Sequence, residues 1–148
     1  MVIGFTQVNG QSLLDEAGAL KELGGLYIMG GDVEEELLSH GLDKEQVFAR
    51  VTSRISMGGM RVLNEMEWLM IESAPVLFID IRSENSVYVV RLEILYLVHP
   101  VSNPSATSYA VIWSDYRAGR IEEDSAEAVL RDLDLLAAIL ANDYNTNQ

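Results

Sequence analysis

The chain has 148 residues, no cysteine and a formal net charge of −13. Its length is typical of one domain that folds without metals or disulfides, and the absence of cysteine excludes a disulfide scaffold and a cysteine-rich zinc site. The acidic balance argues against nucleic acid and anionic membranes as partners, because both are bound through basic surfaces. High solubility explains the acidity more simply than a dedicated basic partner does.

Residues 1–25 are predicted to form an N-terminal segment that packs on, or leads into, a single α+β domain spanning residues 26–148. The segment begins with strand-like apolar residues and continues with a helical pattern from Leu13 to Leu23 that stops at Gly24-Gly25. The strand-like residues are Val2, Ile3, Phe5 and Val8.

No signal peptide is predicted, because the N-terminus has no early Lys or Arg and no continuous apolar stretch before Asp15. No membrane span is predicted either, since no apolar run, Ile94–Val98 included, approaches the ~20 residues that a spanning helix needs. We therefore expect a soluble protein, cytoplasmic as the chain stands or periplasmic where a signal peptide has been removed.

Leu26–Val33 has the composition of a strand, interrupted at Gly30-Gly31. A glycine pair inside a strand indicates a bulge or a close approach of another backbone. A phosphate loop is not indicated, because no Lys followed by Ser or Thr comes after the glycines and the run Glu34-Glu35-Glu36 would lie where a phosphate should bind.

Asp43–Met57 is predicted as a helix that begins with a capping box of Asp43 and Gln46 and ends at Gly58-Gly59. Its expected apolar face comprises Val47, Phe48, Val51 and Ile55. Arg50 and Arg54 lie on the polar side, where they could bind an anion together, but solvated or ion-paired arginines are more typical of such a helix.

The most informative part of the sequence is a predicted buried β-hairpin of two apolar segments, Pro75–Arg82 and Val87–Pro100. Between them lies the polar break Glu84-Asn85-Ser86. The second segment alternates with period two, which places one set of apolar residues on each face. One set is Tyr88, Val90, Leu92, Ile94, Tyr96 and Val98, and the other includes Val87, Val89, Leu95 and Leu97.

The elements around the hairpin complete the predicted order β-α-β-β-β-β-α. Met60–Leu63 is expected to be a strand, and Asn64–Glu72 a short helix or an irregular segment that presents Trp68. Ser108–Arg117 is the last strand, with Tyr109, Val111 and Trp113 on one face, Ala110 and Ile112 on the other, and a turn at Ala118-Gly119. The final helix, Asp124–Tyr144, has one apolar face. These elements predict an α+β two-layer sandwich, a mostly antiparallel sheet covered on one face by two helices.

The sequence contains no constellation typical of catalysis or of a cofactor. His40 and His99 lack metal-ligand companions at helical or strand spacing, and no serine has the surroundings of an activated nucleophile. We therefore predict no catalytic residue, no metal and no cofactor. Asp80 lies between apolar residues in a strand and could be a buried acid, although a place on a polar sheet face beside Arg82 is the more typical explanation.

A few spacings resemble a known group of proteins. Gly41-Leu42-Asp43 opens a helix, Gly59-Met60-Arg61-Val62-Leu63 follows it, Pro75-x-Leu77 leads into the long strands, and Trp113 precedes Gly119. In these features, from about Leu26 to Asn142, the chain resembles uncharacterised small bacterial envelope proteins whose proposed fold is similar to the amino-terminal domain of TolB and related envelope lipoproteins. The resemblance implies a role in assembly or binding, without catalytic residues.

Two functions are consistent with these features. The first is a non-catalytic domain that binds another protein or a second copy of itself, through a sheet edge or the Trp68 segment, because one helical layer cannot cover both apolar faces of the hairpin. The second is a small-ligand-binding or enzymatic domain with a pocket near Trp68, Asp80 and Arg82. It requires Asp80 to lie inside a cavity between sheet and helix.

Overall fold

The computed structural model describes residues 16–146 and residue 148. It contains four strands, five helices and the connections between them within that range. The helices are α1 Glu16–Lys21, α2 Glu35–Leu38, α3 Lys44–Met57, α4 Glu65–Leu69 and α5 Ser125–Thr146. The strands are β1 Tyr27–Gly30, β2 Val76–Glu84, β3 Val87–Val98 and β4 Ser108–Arg120. The strand-like residues predicted between Val2 and Val8 lie outside the described residues.

The four strands form one sheet in the order β1-β2-β3-β4. The strands β2, β3 and β4 are antiparallel neighbours, whereas β1 pairs with β2 in parallel. A parallel neighbour requires a crossover connection, and α2, α3 and α4 lie in that connection. Asn85 and Ser86 both have positive φ, which is typical of the type I′ turn that closes a tight hairpin. The predicted hairpin is confirmed.

The core lies between the sheet and a layer formed by the two longest helices, so the predicted α+β sandwich with one covered face is confirmed. The helix α5 packs on β3 and β4, and α3 packs on α5. Leu77, Ile79 and Ile81 alternate towards the helices from β2, and Tyr88, Val90, Leu92 and Ile94 do so from β3. Leu20 and Leu23 are also buried in this cluster, so the end of the N-terminal segment contributes to the domain core.

The two sequence features that predicted the ends of α3, a capping box and a glycine stop, are both present. Asp43 accepts a hydrogen bond from the Gln46 N–H, and the Gln46 side chain accepts one from the Asp43 N–H. The helix ends at Gly58, where an added Cβ would lie 2.6 Å from the Cβ of Ala141 in α5. The prediction of its apolar face was wrong at one position: Val47, Val51 and Ile55 are buried, but Phe48 is exposed.

Gly30 ends β1 and Gly31 follows it, so the strand is shorter than predicted, but the pair marks the close backbone approach that two glycines in a strand indicate. Gly30 has a φ of +87°, and a Cβ there would lie 2.4 Å from the carbonyl oxygen of Ile79. The N–H of Gly31 donates to the same oxygen. The residues predicted as a further strand, Met60–Leu63, form only an isolated bridge between Leu26 and Val62, which corrects that prediction.

Two predictions for β4 were wrong. The strand runs through Ala118-Gly119 instead of turning there, and the ring of Tyr88 lies so close to Gly119 that an added Cβ would be 2.6 Å from the Tyr88 hydroxyl. The register also shifts between Ile94 and Leu95 of β3. At this bulge Ile112 has no partner in β3, and both Ile112 and Trp113 are buried. Tyr109 and Val111 therefore lie on the face opposite to Trp113.

Candidate interaction surface

One face of the sheet is not covered by the α3–α5 layer, and we call it the open face. Tyr27 and Met29 lie on it in β1, because Ile28 between them belongs to the core. The residues of the other strands that share this side follow from the register. They are Val76, Phe78, Asp80, Arg82 and Glu84 of β2, Val87, Val89, Arg91, Glu93, Leu95 and Leu97 of β3, and Tyr109, Val111, Ser114, Tyr116, Ala118 and Arg120 of β4.

The end of the open face farthest from the hairpin turn is apolar. In the register Val76 lies beside Leu95, Leu95 beside Val111, and Leu97 beside Tyr109. The side chains of Met29, Tyr109 and Val111 are exposed, and those of Phe78, Leu95 and Leu97 are partly exposed. Contiguous exposed apolar side chains of this kind are typical of interaction sites.

The helix α4 lies at the same end of the sheet. Its Trp68 ring stacks on Tyr27 with centroids 4.6 Å apart and an interplanar angle of 14°, and the carbonyl of Ser73, just beyond the helix, accepts from the Leu97 N–H. A capping box of Asn64 and Glu67 begins the helix.

The segment around α4 exposes large apolar side chains to solvent. Met66, Leu69 and Met70 are 77%, 64% and 85% exposed. The α4 segment adjoins the open face through the Trp68–Tyr27 stack, and we use the name apolar patch for its exposed apolar residues taken with those of the open face. Its members are Met29, Phe78, Leu95, Leu97, Tyr109 and Val111 on the sheet and Met66, Leu69 and Met70 in or beside α4. The glutamates at its edge, Glu65 and Glu72, are also exposed.

The half of the open face nearer the hairpin turn is charged. The Arg82 guanidinium donates to both oxygens of Asp80, at 3.1 and 3.2 Å, with the two side chains 77% and 23% exposed. Arg91 is the register partner of Asp80 and lies 5.7 Å from the centroid of the Tyr116 ring. On this half of the face the three carboxylates of Asp80, Glu84 and Glu93 balance the three guanidinium groups of Arg82, Arg91 and Arg120, so it is polar but close to neutral.

Trp68, Asp80 and Arg82, the residues proposed for a ligand site, do not lie together. Trp68 stacks beside the row of Val76, whereas Asp80 lies about 13 Å further along β2 at about 3.3 Å per residue. Arg82 lines an open surface groove of about 450 Å³ with Glu34, Ser83, Glu84, Val87 and Val89. Glu34 accepts from the Ser83 N–H in this groove. A ligand-binding role for the three residues stays a prediction.

The two arginines of α3 are ion-paired, as is typical of such a helix. Arg50 donates to one Asp134 oxygen at 2.7 Å, and Arg54 donates to the other at 3.0 Å. This contact joins α3 to α5, so the side chains stabilise the helix layer. The ring Nδ1 atoms of His40 and His99 lie within hydrogen-bond distance of backbone carbonyls.

Within residues 16–146 and 148, no three His, Asp or Glu side chains lie close enough together to hold a metal ion. In the same part of the chain, no helix is long and apolar enough to cross a membrane.

The exposed methionines of α4 were not identified by sequence analysis, which singled out only Trp68 in this segment. Their signal is the short sequence Met66-Glu67-Trp68-Leu69-Met70, in which four of five residues are apolar and spread over more than one side of a helical turn. A helix of only five residues beside the sheet cannot bury residues on every side.

Comparison with protein-family models finds no match for the chain, and comparison with curated proteins finds none either.

Proposed function

We propose that the protein is a non-catalytic interaction or assembly domain, and that it binds a protein segment at the apolar patch. The observation that supports this most directly is the contrast between the two faces of the sheet. The helix-covered face is buried, whereas the open face retains exposed Tyr109 and Val111, and the α4 segment at the same end of the sheet exposes Met70.

The surroundings of the patch suggest the chemistry of the partner. Glu65 and Glu72 lie at its edge, and the whole chain carries a net charge of −13. A partner with Lys or Arg beside its apolar side chains gains from these charges, both in encounter rate and in orientation. Methionine side chains adapt to different apolar shapes, which suits a surface that binds an extended or helical peptide.

The test uses random peptides displayed on phage and selected on the wild-type protein. The selected peptides should contain Leu, Met or aromatic residues flanked by Lys or Arg. A double variant, Leu69→Ser with Met70→Ser, should weaken their binding by about tenfold or more, because it removes exposed apolar contacts from the patch. Isothermal titration measures affinity, and backbone amide shifts in NMR spectra locate the contact.

The matched control changes an exposed leucine and methionine elsewhere. Leu38→Ser with Met57→Ser alters side chains that are 48% and 72% exposed, on α2 and α3. This variant should bind the selected peptides as the wild type does. Peptides that bind the Leu69–Met70 variant with unchanged affinity, or a selection that enriches no peptide, would contradict the proposal.

The alternative, a small-ligand-binding or enzymatic domain, is placed second. It rests on Trp68, Asp80 and Arg82, of which only Arg82 lines the groove beside the hairpin. If this alternative holds, Trp68→Ala, Asp80→Asn and Arg82→Gln should each weaken the binding of a small ligand found in a screen. Screen hits that bind these variants unchanged would remove it.

A further inference from the structure

Among residues 16–146 and 148, no strand pairs with β4 on the side away from β3, so β4 forms the long edge of the sheet. It has 13 residues, against four for β1 at the opposite edge. The N–H of Ile121, next after β4, donates to the Ser86 carbonyl before β3. Because backbone groups alternate in an antiparallel ladder, those of Ser114, Tyr116 and Ala118 point away from β3. A long free edge of this kind is a template for pairing with another strand.

The side chains around Tyr116 place both signs of charge at this edge. Asp115 and Arg117 flank Tyr116 and share the side of the strand that faces the helices. The Asp115 carboxylate accepts from the outward N–H of Tyr116 at 2.8 Å. The Arg117 Nε lies 3.7 Å from Asp132 of α5, and its side chain is 49% exposed. Both charged groups are therefore accessible from the free edge.

We propose that β4 pairs with β4 of a second copy of the chain, antiparallel and with the two-fold axis at Tyr116. In this register Asp115 lies opposite Arg117 of the second copy, and Arg117 lies opposite its Asp115. These are non-hydrogen-bonded positions, where cross-strand side chains are closest. The Tyr116 N–H then donates to the Tyr116 carbonyl of the second copy, which releases the Asp115 carboxylate to pair with Arg117.

The charges select this register. Two copies of β4 can form a ladder only where residues whose backbone groups point outward pair with each other. The two-fold axis must therefore lie at a residue of β4 and not between two residues. An axis at Arg117 places two arginines directly opposite each other, and an axis at Asp115 does the same with two aspartates. Like charges directly opposite destabilise strand pairing. Only the axis at Tyr116 brings Asp115 and Arg117 opposite each other.

A two-fold axis perpendicular to the sheet places both helix layers on one side and both open faces on the other. The inference goes beyond the proposed function, because Asp115, Tyr116 and Arg117 do not belong to the apolar patch. Dimerisation through β4 and protein binding at the apolar patch can therefore be disproved independently.

The test is a charge exchange followed by sedimentation velocity over a concentration series. The wild type should show a reversible monomer–dimer equilibrium. Asp115→Arg and Arg117→Asp should each raise the dimer dissociation constant by about tenfold or more, because each places like charges opposite. An equimolar mixture of the two variants should recover wild-type dimerisation as a heterodimer, since the two arginines of one chain then lie opposite the two aspartates of the other. The double exchange in one chain should recover it too.

Matched controls use the exposed ion pair of Lys44 with Asp32, which lies away from the edge. Lys44→Glu and Asp32→Arg make the same charge changes and should leave the dissociation constant unchanged. A wild type that stays monomeric throughout the series overturns the proposal. A dimer insensitive to both exchanges, or variants that do not combine on mixing, overturns it as well.

A proline variant keeps the test decisive if Arg117→Asp, which places a second carboxylate near Asp132, fails to fold. Ala118→Pro removes an outward N–H and leaves the ladder with β3 intact, a position where edge strands tolerate proline. It should melt as the wild type does and sediment as a monomer. A folded Ala118→Pro protein that dimerises normally overturns the proposal.

Discussion

The hydroxyl of Tyr88 donates a hydrogen bond to Asp132 over 2.7 Å and so ties the hairpin to the final helix. The Tyr88 ring is buried on the core face of β3, where it also lies against Gly119 of the neighbouring strand. The same Asp132 carboxylate lies 3.7 Å from Arg117. Tyr88 therefore links its own strand, β3, to β4 and α5. Removal of its contacts should lower the stability of the whole domain.

Tyr88→Phe should lower the free energy of unfolding by about 1 to 2 kcal/mol. The substitution keeps the ring but leaves a partly buried carboxylate without its hydroxyl donor. Urea denaturation measures the loss. The control is Tyr109→Phe, which removes a hydroxyl from an exposed ring and should change stability by less than about 0.5 kcal/mol. Equal effects of the two substitutions would show that the contact with Asp132 contributes nothing.

The contact between Tyr88 and Asp132 also predicts that the stability difference between wild type and Tyr88→Phe changes at alkaline pH. Burial, with the hydrogen bond to Asp132 and its negative charge, raises the pKa of Tyr88 above its ordinary value. The unfolded chain therefore loses this proton first as the pH rises past about 10, and the stability due to Tyr88 declines there. Below that pH the contribution is complete. The stability difference between wild type and Tyr88→Phe should shrink between about pH 9 and 11, and a constant difference would contradict this.

Gly119→Ala should destabilise the domain by about 1 to 3 kcal/mol, the usual range for overpacking a filled site. The new Cβ would lie 2.6 to 2.8 Å from the hydroxyl and ring carbons of Tyr88. Gly24→Ala is the control, because nothing lies within 4 Å of a Cβ there. Thermal unfolding compares the two. The clash also predicts that Gly119→Ala costs less when Tyr88 is already leucine, which a double-mutant cycle measures.

Leu133→Asp should prevent folding. Leu133 of α5 is fully buried in the core, so the variant places an unpaired charge there, at a cost of several kcal/mol out of the ~5 to 15 available to a domain. Arg131→Asp on the exposed side of the same helix should change stability by no more than about 0.5 kcal/mol. Circular dichroism melts distinguish the two outcomes. A normal cooperative melt for Leu133→Asp would mean that α5 is peripheral.

Regular patterns made much of the fold predictable. The alternation in β3, the capping box at Asp43 and the helical spacing around Leu133 each depend on near neighbours, and all three are found in the structure. The sequence pattern failed where the local structure depends on a contact between residues far apart in the chain. The bulge at Ile112 depends on how β3 pairs with β4, and Gly119 resembles a turn until the Tyr88 ring is placed beside it.

The open face shows the same limit. Period two in β3 predicted a second apolar face, but not which residues would remain exposed on it. That depends on α4, whose position follows from the stacking of Trp68 on Tyr27, residues far apart in the chain. Likewise Arg50 and Arg54 are paired by an aspartate of the last helix, which no local spacing indicates.

Trp68→Phe and Trp113→Phe make the same substitution in two different environments. Within the described part of the chain the buried Trp68 Nε1–H has no hydrogen-bond partner, whereas the Trp113 Nε1–H donates to Asp143 at 2.9 Å. An unpaired buried donor costs about 1 to 3 kcal/mol, so its removal at Trp68 offsets the smaller ring. Trp68→Phe should therefore leave stability within about 1 kcal/mol of wild type, or raise it.

At Trp113 the same change should cost about 2 kcal/mol or more, because it removes a satisfied hydrogen bond and leaves a cavity in the core. Urea denaturation of both variants measures the difference, and the retained aromatic ring at residue 68 can still stack on Tyr27. Equal losses of unfolding free energy at the two positions would mean that the Trp68 N–H has a hydrogen-bond partner in solution. This end of the open face would then be fully hydrogen-bonded without a bound protein.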